Sequence, residues 1–400
     1  MLSSPDSESE SPRQNAARVE IGGMMDAFTA ARLFTGDRVR QNAAALVENG
    51  FVIDVVDRNA VPTHARRHDM NDCLLAPGFI DVQVNGGGGV LFNDSPDTAT
   101  LARLAAAHRR FGTTGLLPTL ISDSRDKRRM ARASVEAALA AGMPGILGLH
   151  LEGPHLNPAR RGVHDPKWLG SPDSADLALM QPLNAGVTVV TLAPEMVDPD
   201  LIRQLAGAGV RLCAGHSTAG YEQTRQALAA GLTGFTHLFN AMPPLTAREP
   251  GLLGAALDDR TGWCGVIADG YHLHDAAVRL AWRAKPPGKI MLVTDAMPPA
   301  CADNQPFRLG DEVISVTDGR CVTANGTLAG SALDMATAVR NCVERIGIPL
   351  EEALRMASLY PAGFLGLDHR HGRIAPGYAA DMVALDERLA VRETFIAGHA

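Results

Sequence analysis

The sequence predicts a (β/α)8 TIM-like barrel with a small β-sandwich domain formed by the N- and C-terminal segments. Short apolar runs of β type alternate with helical patterns through the middle of the chain, and several of those helical patterns end at a glycine. Both ends of the chain contain short β-like runs without a helical period. Eight strands, each followed by a crossover within roughly 300 residues, fit a barrel of the usual size.

The predicted barrel elements follow one another regularly along the chain. The strands are expected at residues 79–85, 114–120, 145–152, 187–193, 210–216, 234–237, 264–269 and 289–295. The clearest helical patterns between them cover residues 98–111, 127–141, 198–208, 221–230 and 275–284. Gly142, Gly209 and Gly231 follow three of these patterns, where a helix is expected to stop.

The ends of the chain are predicted to be organised separately from the barrel. Residues 1–18 are rich in Ser, Glu and Pro, which predicts a disordered tail. Residues 19–76 and 373–400 are interpreted as two halves of one small β domain, because the first and last elements of a barrel are neighbours. The barrel itself is assigned to residues 77–372.

Composition excludes several classes of partner. The formal net charge is −7 and the pI is near 6.0, and no Lys/Arg block forms a stripe for a phosphate backbone, so nucleic acid is not expected as a partner. No window approaches the roughly 18 consecutive apolar residues that span a bilayer, and the N-terminus has no apolar signal region. We therefore expect a cytoplasmic protein without a membrane partner.

Polar residues that terminate the apolar runs are the candidates for chemistry, because barrel active sites lie at the carboxyl ends of the strands. Glu152, His216 and His237 end the third, fifth and sixth predicted strands, and Asp269 ends the seventh. One carboxylate and two imidazoles form a three-ligand site for a divalent cation, with Zn²⁺ expected and an open position left for water. A lone strand-end histidine is more often structural, so the coincidence of all three residues carries this interpretation.

Asp295 ends the eighth predicted strand and would face such a site across the barrel. A carboxylate there can act as general base toward water and then return the proton to a leaving amine. The alternative is that Asp295 only caps the turn that begins at "AMPP", since Asp is a favoured cap residue.

Gln83 and Asn85, at positions i and i+2 of the first predicted strand, point to the same face. Neutral amides are poor ligands for Zn²⁺ compared with imidazole, so this pair predicts one metal ion per chain rather than two. We expect both amides to hydrogen-bond the metal-bound water or the substrate.

Loops predicted to overhang the barrel are rich in polar groups that suit a small anionic substrate. Arg248 is the expected clamp for a phosphate or carboxylate. Arg160 and Arg161 are expected to be solvated instead. The remaining candidates are His164, Asn240, His272 and a backbone-rich turn at residues 328–330.

Seven motifs occur in an order that resembles the N-acetylglucosamine-6-phosphate deacetylases of the amidohydrolase superfamily. They are "PGFIDVQVNGGGG", "GLHLEGPHLNPARRGVHDP", "AGHSTA", "THLFNAMPPLTAREPG", "ADGYHLH", "LVTDAMPP" and "GTLAGSALDM". The resemblance runs from about Pro77 to the C-terminus, and seven ordered motifs are far more specific than any single one.

The resemblance implies a barrel with a small β domain, a divalent metal on Glu152, His216 and His237, and Asp295 as general base and then acid. It implies release of acetate from N-acetyl-D-glucosamine 6-phosphate to give D-glucosamine 6-phosphate, in amino-sugar catabolism and cell-wall recycling. Homodimers or homotetramers are implied, in which a neighbouring subunit can complete the pocket. The implied substrate contacts are Val163, His164, Asn240, Ala241, Arg248, His272, Leu328, Ala329 and Gly330.

Three alternatives remain open at this point. N-acetylgalactosamine 6-phosphate differs at one hydroxyl and could be the substrate of the same chemistry. A catalytically silent barrel that binds a sugar phosphate as a sensor is a second alternative, which the retained Glu, His and Asp residues argue against. A nucleobase deaminase or dihydroorotase-like activity is less favoured, because the fourth predicted strand has no Lys to bridge two metals.

Overall fold

The computed structural model describes residues 25–303 and 305–400. The predicted tail at residues 1–18, and the start of the predicted β domain up to residue 24, lie outside the described residues. The strands, in chain order, are β1 (Asp26–Phe34), β2 (Val39–Glu48), β3 (Phe51–Asp57), β4 (Arg66–Pro77), β5 (Phe79–Val84), β6 (Gly86–Gly87), β7 (Val90–Leu91), β8 (Thr113–Ile121), β9 (Gly148–Glu152), β10 (Val187–Leu192), β11 (Arg211–Ala214), β12 (Gly234–Phe235), β13 (Trp263–Val266), β14 (Ile290–Leu292), β15 (Phe307–Leu309), β16 (Glu312–Thr317), β17 (Arg320–Val322), β18 (Leu328–Ser331), β19 (Met382–Leu385) and β20 (Val391–Phe395). The α-helices are α1 (Thr98–Arg109), α2 (Arg125–Ala140), α3 (Ser174–Met180), α4 (Pro199–Gly207), α5 (Tyr221–Ala230), α6 (Gly251–Asp258), α7 (Asp275–Ala284), α8 (Met335–Asn341), α9 (Leu350–Ala357) and α10 (Leu359–Leu365).

The predicted barrel is confirmed. Eight strands pair in the order β14-β13-β12-β11-β10-β9-β8-β5, and the pairs are parallel. The two edges meet through the parallel bridge between Val84 and Ala296 and through the backbone bond from Asp295 N–H to the Gln83 carbonyl, 3.0 Å. The first and last barrel strands therefore join at the residues for which chemistry was predicted.

Burial explains why these segments form barrel strands. Every residue of β5, β8 and β9 is buried, as expected for parallel strands covered on both faces. The helix α2 illustrates the outer layer, since Ser124 caps its first turn by accepting from Lys127 N–H and Ala131, Val135 and Ala138 face the core.

The two chain ends combine in one six-stranded sheet with the order β20-β19-β4-β1-β2-β3, which we call the terminal sheet. Strand β19 pairs antiparallel with β4, so the C-terminal segment is joined directly to the N-terminal one. Phe28, Leu33, Leu75 and Phe395 lie in one apolar cluster of this sheet and are almost completely buried. The predicted small β domain built from both ends is therefore confirmed, while its boundaries at residues 76 and 373 stay a prediction.

A four-stranded sheet with the order β15-β16-β17-β18 follows the last barrel strand and was not predicted. The predicted turn at residues 328–330 is wrong, because these residues belong to β18, with Gly330 at a φ of 59°. Strand β18 is held beside the barrel by the parallel bridge between Ala296 and Ser331. This register brings Leu328 and Gly330 to the carboxyl end of the barrel.

Within the described part of the chain, every helix is too short or too polar to cross a bilayer.

Candidate active site

Three side chains meet at the carboxyl ends of the barrel strands, which we call the barrel mouth. Glu152 closes β9, and His216 and His237 follow β11 and β12. The Oε1 atom of Glu152 lies 3.1 Å from His216 Nε2 and 3.0 Å from His237 Nε2, and the two Nε2 atoms are 3.0 Å apart. All three residues are buried. Among the described residues, they form a group of His and carboxylate side chains whose spacing suits one metal ion.

The hydrogen bonds around these side chains fit a divalent cation. His216 donates from Nδ1 to the Arg160 carbonyl at 2.8 Å, so Nε2 is the ring nitrogen that faces Glu152 and would bind a metal. Two imidazole Nε2 atoms and a carboxylate oxygen are a donor set that suits Zn²⁺. Burial alone would raise the pKa of Glu152, but His216 and His237 hold it well below its ordinary value. The carboxylate is therefore ionised and ready for a cation.

The backbone of the site lies in a region that L-residues rarely adopt. The φ angles are 49° at His216, 30° at His237 and 53° at Asp295. Such left-handed conformations cost on the order of 1–3 kcal/mol each and persist only where the surroundings enforce them. Each of these residues follows a barrel strand, so the positive φ turns the chain sharply just where its side chain enters the mouth.

Asp295 is held by the two predicted amides. Asn85 donates from Nδ2 to Asp295 Oδ1 at 2.6 Å, and Gln83 donates from Nε2 to the same oxygen at 3.2 Å. Gln83 also lies 3.3 Å from both carboxylate oxygens of Glu152. Burial, and next the nearby Glu152 charge, raise the pKa of Asp295, which favours proton uptake at this position. Gln83 thus bridges two buried carboxylates, whereas Asn85 bonds Asp295 alone.

A cavity of about 480 Å³ opens above this cluster. Of the predicted substrate contacts, those that line it are Val163, His164, Asn240, Ala241, His272, Leu328 and Gly330. Asn85 also lines the cavity, and its Oδ1 atom has no partner among the described residues. That oxygen can accept a hydrogen bond from a water or a ligand.

The structure does not bring every predicted residue to this cavity. Arg248 is exposed in the loop before α6 and does not line it, so the expectation of an anion clamp is not met within one chain. Ala329 is fully buried in β18, and Gln83 lies beneath the cavity rather than on its wall. The contact of Arg248 with an anion stays a prediction, because its position depends on a long irregular loop rather than on a strand end.

Arg160 was expected to be solvated, yet it lines the cavity. Its carbonyl also holds His216, so the backbone of this loop is fixed to a metal-ligand candidate. Met297 and Thr327 are further lining residues that sequence reasoning missed. Thr327 could have been found from the Asn325–Gly326 pair before it, which is a hairpin signal.

Two further histidines complete the walls. Burial, and then the neighbouring His216, lower the pKa of His164 to about 3, so it is a neutral ring that bonds through Nδ1 to the Ser122 hydroxyl at 2.8 Å. His272 bonds through Nδ1 to Asp269 Oδ2 at 2.6 Å. Both rings are fixed before any ligand binds.

Comparison with known proteins gives a consistent result. The amidohydrolase family model matches residues 74–400. The N-acetylgalactosamine-6-phosphate deacetylase of Shewanella sp. (strain ANA-3) is 40% identical, with 92% of this chain and 94% of that protein covered. The crystal structure of N-acetylglucosamine-6-phosphate deacetylase from Pasteurella multocida is 34% identical, with a TM-score of 0.91 over 94% of this chain and 99% of that one. A mutant of the Mycobacterium smegmatis enzyme in complex with N-acetyl-D-glucosamine-6-phosphate is 33% identical, with a TM-score of 0.85 over 94% and 99% of the two chains.

Proposed function

The chain belongs to the amidohydrolase family, and on that premise we propose that it hydrolyses the N-acetyl amide of N-acetyl-D-glucosamine 6-phosphate. One water adds across the amide C–N bond, and the products are acetate and D-glucosamine 6-phosphate. The observation that carries the proposal is the convergence of Glu152, His216, His237 and Asp295 beneath one cavity. The reaction would serve amino-sugar catabolism and cell-wall recycling.

Glu152, His216 and His237 would hold one divalent ion per chain, with Zn²⁺ as the expected metal. When bound, such an ion polarises a carbonyl and acidifies water. Metal analysis of the native protein tests this assignment, and about two ions per chain at full activity would contradict it.

Asp295 is proposed as the general base and then the general acid. Its carboxylate takes a proton from the attacking water at Oδ1 or Oδ2 and returns it to the amine nitrogen as the C–N bond breaks. The raised pKa supports both halves of this transfer, because a carboxylate with a pKa nearer neutrality gains and releases a proton readily. Gln83 and Asn85 hold Asp295 in place, and the free Asn85 Oδ1 is suited to bind water or the substrate.

The cavity walls are proposed to bind the sugar. His272 faces the amide carbonyl, and the other proposed contacts from the cavity walls are Val163, His164, Asn240, Ala241, Leu328 and Gly330. Arg248 is exposed in this chain, so we propose that it meets the phosphate of a substrate bound in a neighbouring subunit. This requires a homodimer or homotetramer, which sedimentation would test.

N-acetylgalactosamine 6-phosphate is the second candidate substrate, because the relative that is 40% identical is a deacetylase of that compound. The two sugars differ at one hydroxyl, so the ratio of their kcat/KM values decides between them.

The deciding experiment follows acetate release by purified, Zn²⁺-loaded protein from both sugar phosphates, with the phosphate-free sugars as controls. We expect turnover of N-acetylglucosamine 6-phosphate with the higher kcat/KM. Tight binding without any acetate would favour the silent sensor and overturn the proposal. The cytoplasmic location stays a prediction, which cell fractionation would test.

A further inference from the structure

Asp269 is a buried carboxylate that the proposed reaction has not used. It lies after β13, and its side chain is 7% exposed. Its Oδ1 atom accepts from the backbone N–H groups of Tyr271 and His272, both at 2.8 Å, and its Oδ2 atom bonds His272 Nδ1 at 2.6 Å. Both oxygens are therefore fixed, and the carboxylate has one orientation.

This arrangement determines how His272 can act. Because Nδ1 gives its proton to Asp269, Nε2 is the ring nitrogen left for other partners. The His272 side chain is 5% exposed and lines the same cavity as Asp295. The His272 ring is thus fixed on one side by the Asp269 carboxylate and faces the cavity on the other.

We propose that Asp269 is a positioning residue, which orients His272 and balances its positive charge so that Nε2–H donates to the carbonyl oxygen of the scissile amide. This inference rests on the proposed function. Negative charge grows on that oxygen as water attacks, and a preorganised, charged donor stabilises it more than a neutral donor does.

Acidic side chains lie close to the His272 ring. Asp269 follows β13 and bonds the ring directly, and Asp295, which follows β14, lies close enough to interact with it electrostatically. Arg345 is a nearby cation, but its guanidinium bonds Asp275 at 3.0 Å and the Asp269 backbone carbonyl at 3.4 Å. The Cys321 thiol, also close to both carboxylates, is held neutral because burial and these charges raise its pKa to about 12.

Burial alone would raise the pKa of Asp269, but the hydrogen bond from His272 and its charge keep it below the ordinary value. The carboxylate therefore stays ionised and can balance an imidazolium. Asn341 donates to the Ala268 carbonyl at 2.8 Å and fixes the backbone that carries Asp269. The pair is thus rigid on both the side-chain and the backbone side.

A carboxylate–histidine pair beside the terminal sheet, just before β19, offers a matched control. Asp381 bonds His371 Nδ1 at 3.0 Å and accepts from the Ala397 N–H at 2.9 Å, as Asp269 does with its own neighbours. The Asp381–His371 pair lies outside the barrel mouth and has no proposed role in the reaction. Asp381→Asn therefore shows what the loss of such a pair does to the protein in general.

The test compares Asp269→Asn, His272→Gln, the double variant and Asp381→Asn in Zn²⁺-loaded protein. An amide at position 269 can donate to ring Nδ1, which leaves a neutral ring and a weaker Nε2–H donor. Since a charge-assisted hydrogen bond is about twice as strong as a neutral one, we expect Asp269→Asn to lower kcat about 10-fold with little change in KM. We expect metal content to be unchanged, and Asp381→Asn to match the wild type.

Removing the imidazole should cost about 10²–10³-fold in kcat, and the double variant should be no slower than His272→Gln alone. An unchanged kcat in His272→Gln, which keeps the Asp269 carboxylate and its two backbone bonds, would overturn the inference even if Asp269→Asn folds poorly. An active wild type with unchanged kcat in Asp269→Asn, or a double variant whose losses multiply, would overturn this inference. A wild type that releases no acetate would overturn the proposed function instead.

Discussion

The barrel mouth and the terminal sheet treat polar groups in opposite ways. In the mouth, Glu152, Gln83 and Asp295 are buried together, and the backbone of His216, His237 and Asp295 is left-handed. In the terminal sheet, β1 pairs along its length with β2 and β4, and Phe28 packs on Phe395 with ring centroids 4.8 Å apart. The fixed polar groups and left-handed backbone of the barrel mouth lower the stability of the fold. Regular strand pairing and apolar burial in the terminal sheet raise it.

The difference teaches where a substitution should change chemistry and where it should change only stability. A carboxylate bonds a histidine beside both regions, yet His272 of the Asp269 pair lines the cavity and the Asp381–His371 pair does not. A carboxylate–histidine pair alone therefore does not indicate a functional site. Its position next to the cavity does.

The largest expected effect is at Asp295. In Asp295→Asn, the new amide oxygen can still accept the hydrogen bonds from Gln83 and Asn85, and we expect the metal content to be unchanged. We expect kcat to fall about 10²–10⁴-fold because the general base is lost. Steady-state kinetics with metal analysis check this outcome. A turnover number equal to that of the wild type would remove Asp295 from the mechanism.

The matching test in the terminal sheet is Phe28→Ala. The side chain is fully buried, so we expect the free energy of unfolding to fall by about 3–5 kcal/mol, with kcat/KM of the folded protein unchanged. Urea denaturation and kinetics below the transition measure the two quantities. A large fall in kcat/KM would mean that the two regions are coupled and not separable.

A smaller effect is expected at Gln83, which separates two buried carboxylates. Gln83→Ala should lower metal affinity or activity by about 10–100-fold, because partners of metal-site carboxylates typically contribute that much. Titration against a chelator of known affinity measures the change. Gln41→Ala, at an exposed position of β2, is the control and should have no effect.

The remaining effects concern the pH dependence of stability and have opposite signs at Asp81 in the barrel and at Asp26 in the terminal sheet. Burial raises the pKa of Asp81 in β5 to about 7, so its contribution to stability is full below the unfolded value of about 3.9 and is lost as pH rises through about 7. Burial alone would also raise the pKa of Asp26 in β1, but Arg66 and His68 lower it, so that contribution is present above about pH 3.9 and is lost as pH falls.

Urea midpoints measured between pH 3 and pH 8.5 check both signs. Asp81→Asn should reduce the decline in stability on the alkaline side, and Asp26→Asn should reduce the decline on the acid side. Parallel pH curves for the wild type and either variant would contradict the assignment for that residue.

Much of this organisation could be predicted from sequence because it depends on local patterns. An apolar run that ends in a polar residue identified Glu152, His216, His237 and Asp295, and the barrel brings all strand ends to one side. The amides at Gln83 and Asn85 were located in the same way, although their bonds to carboxylates could not be read from spacing.

What sequence reasoning missed depends on loops and on contacts between distant segments. The sheet β15–β18 was missed although Asp318–Gly319 is a hairpin signal, with φ of 51° and 77° at the two residues. Arg160 could not be placed in the cavity, nor Arg248 outside it, because Arg160 lies in a single 3-10 turn and Arg248 in an irregular loop, both too short or too irregular for a sequence period to fix the side-chain direction.

The seam between the first and last barrel strands has a consequence for folding. Gln83 and Asn85 come from β5 and the segment after it, while Asp295 follows β14, so the three meet only when the ring of strands closes. Loop closure over so many residues comes late in the folding of a large chain. Catalytic activity therefore reports the completed ring, and during refolding it should return after the far-ultraviolet circular dichroism signal of the helices has recovered.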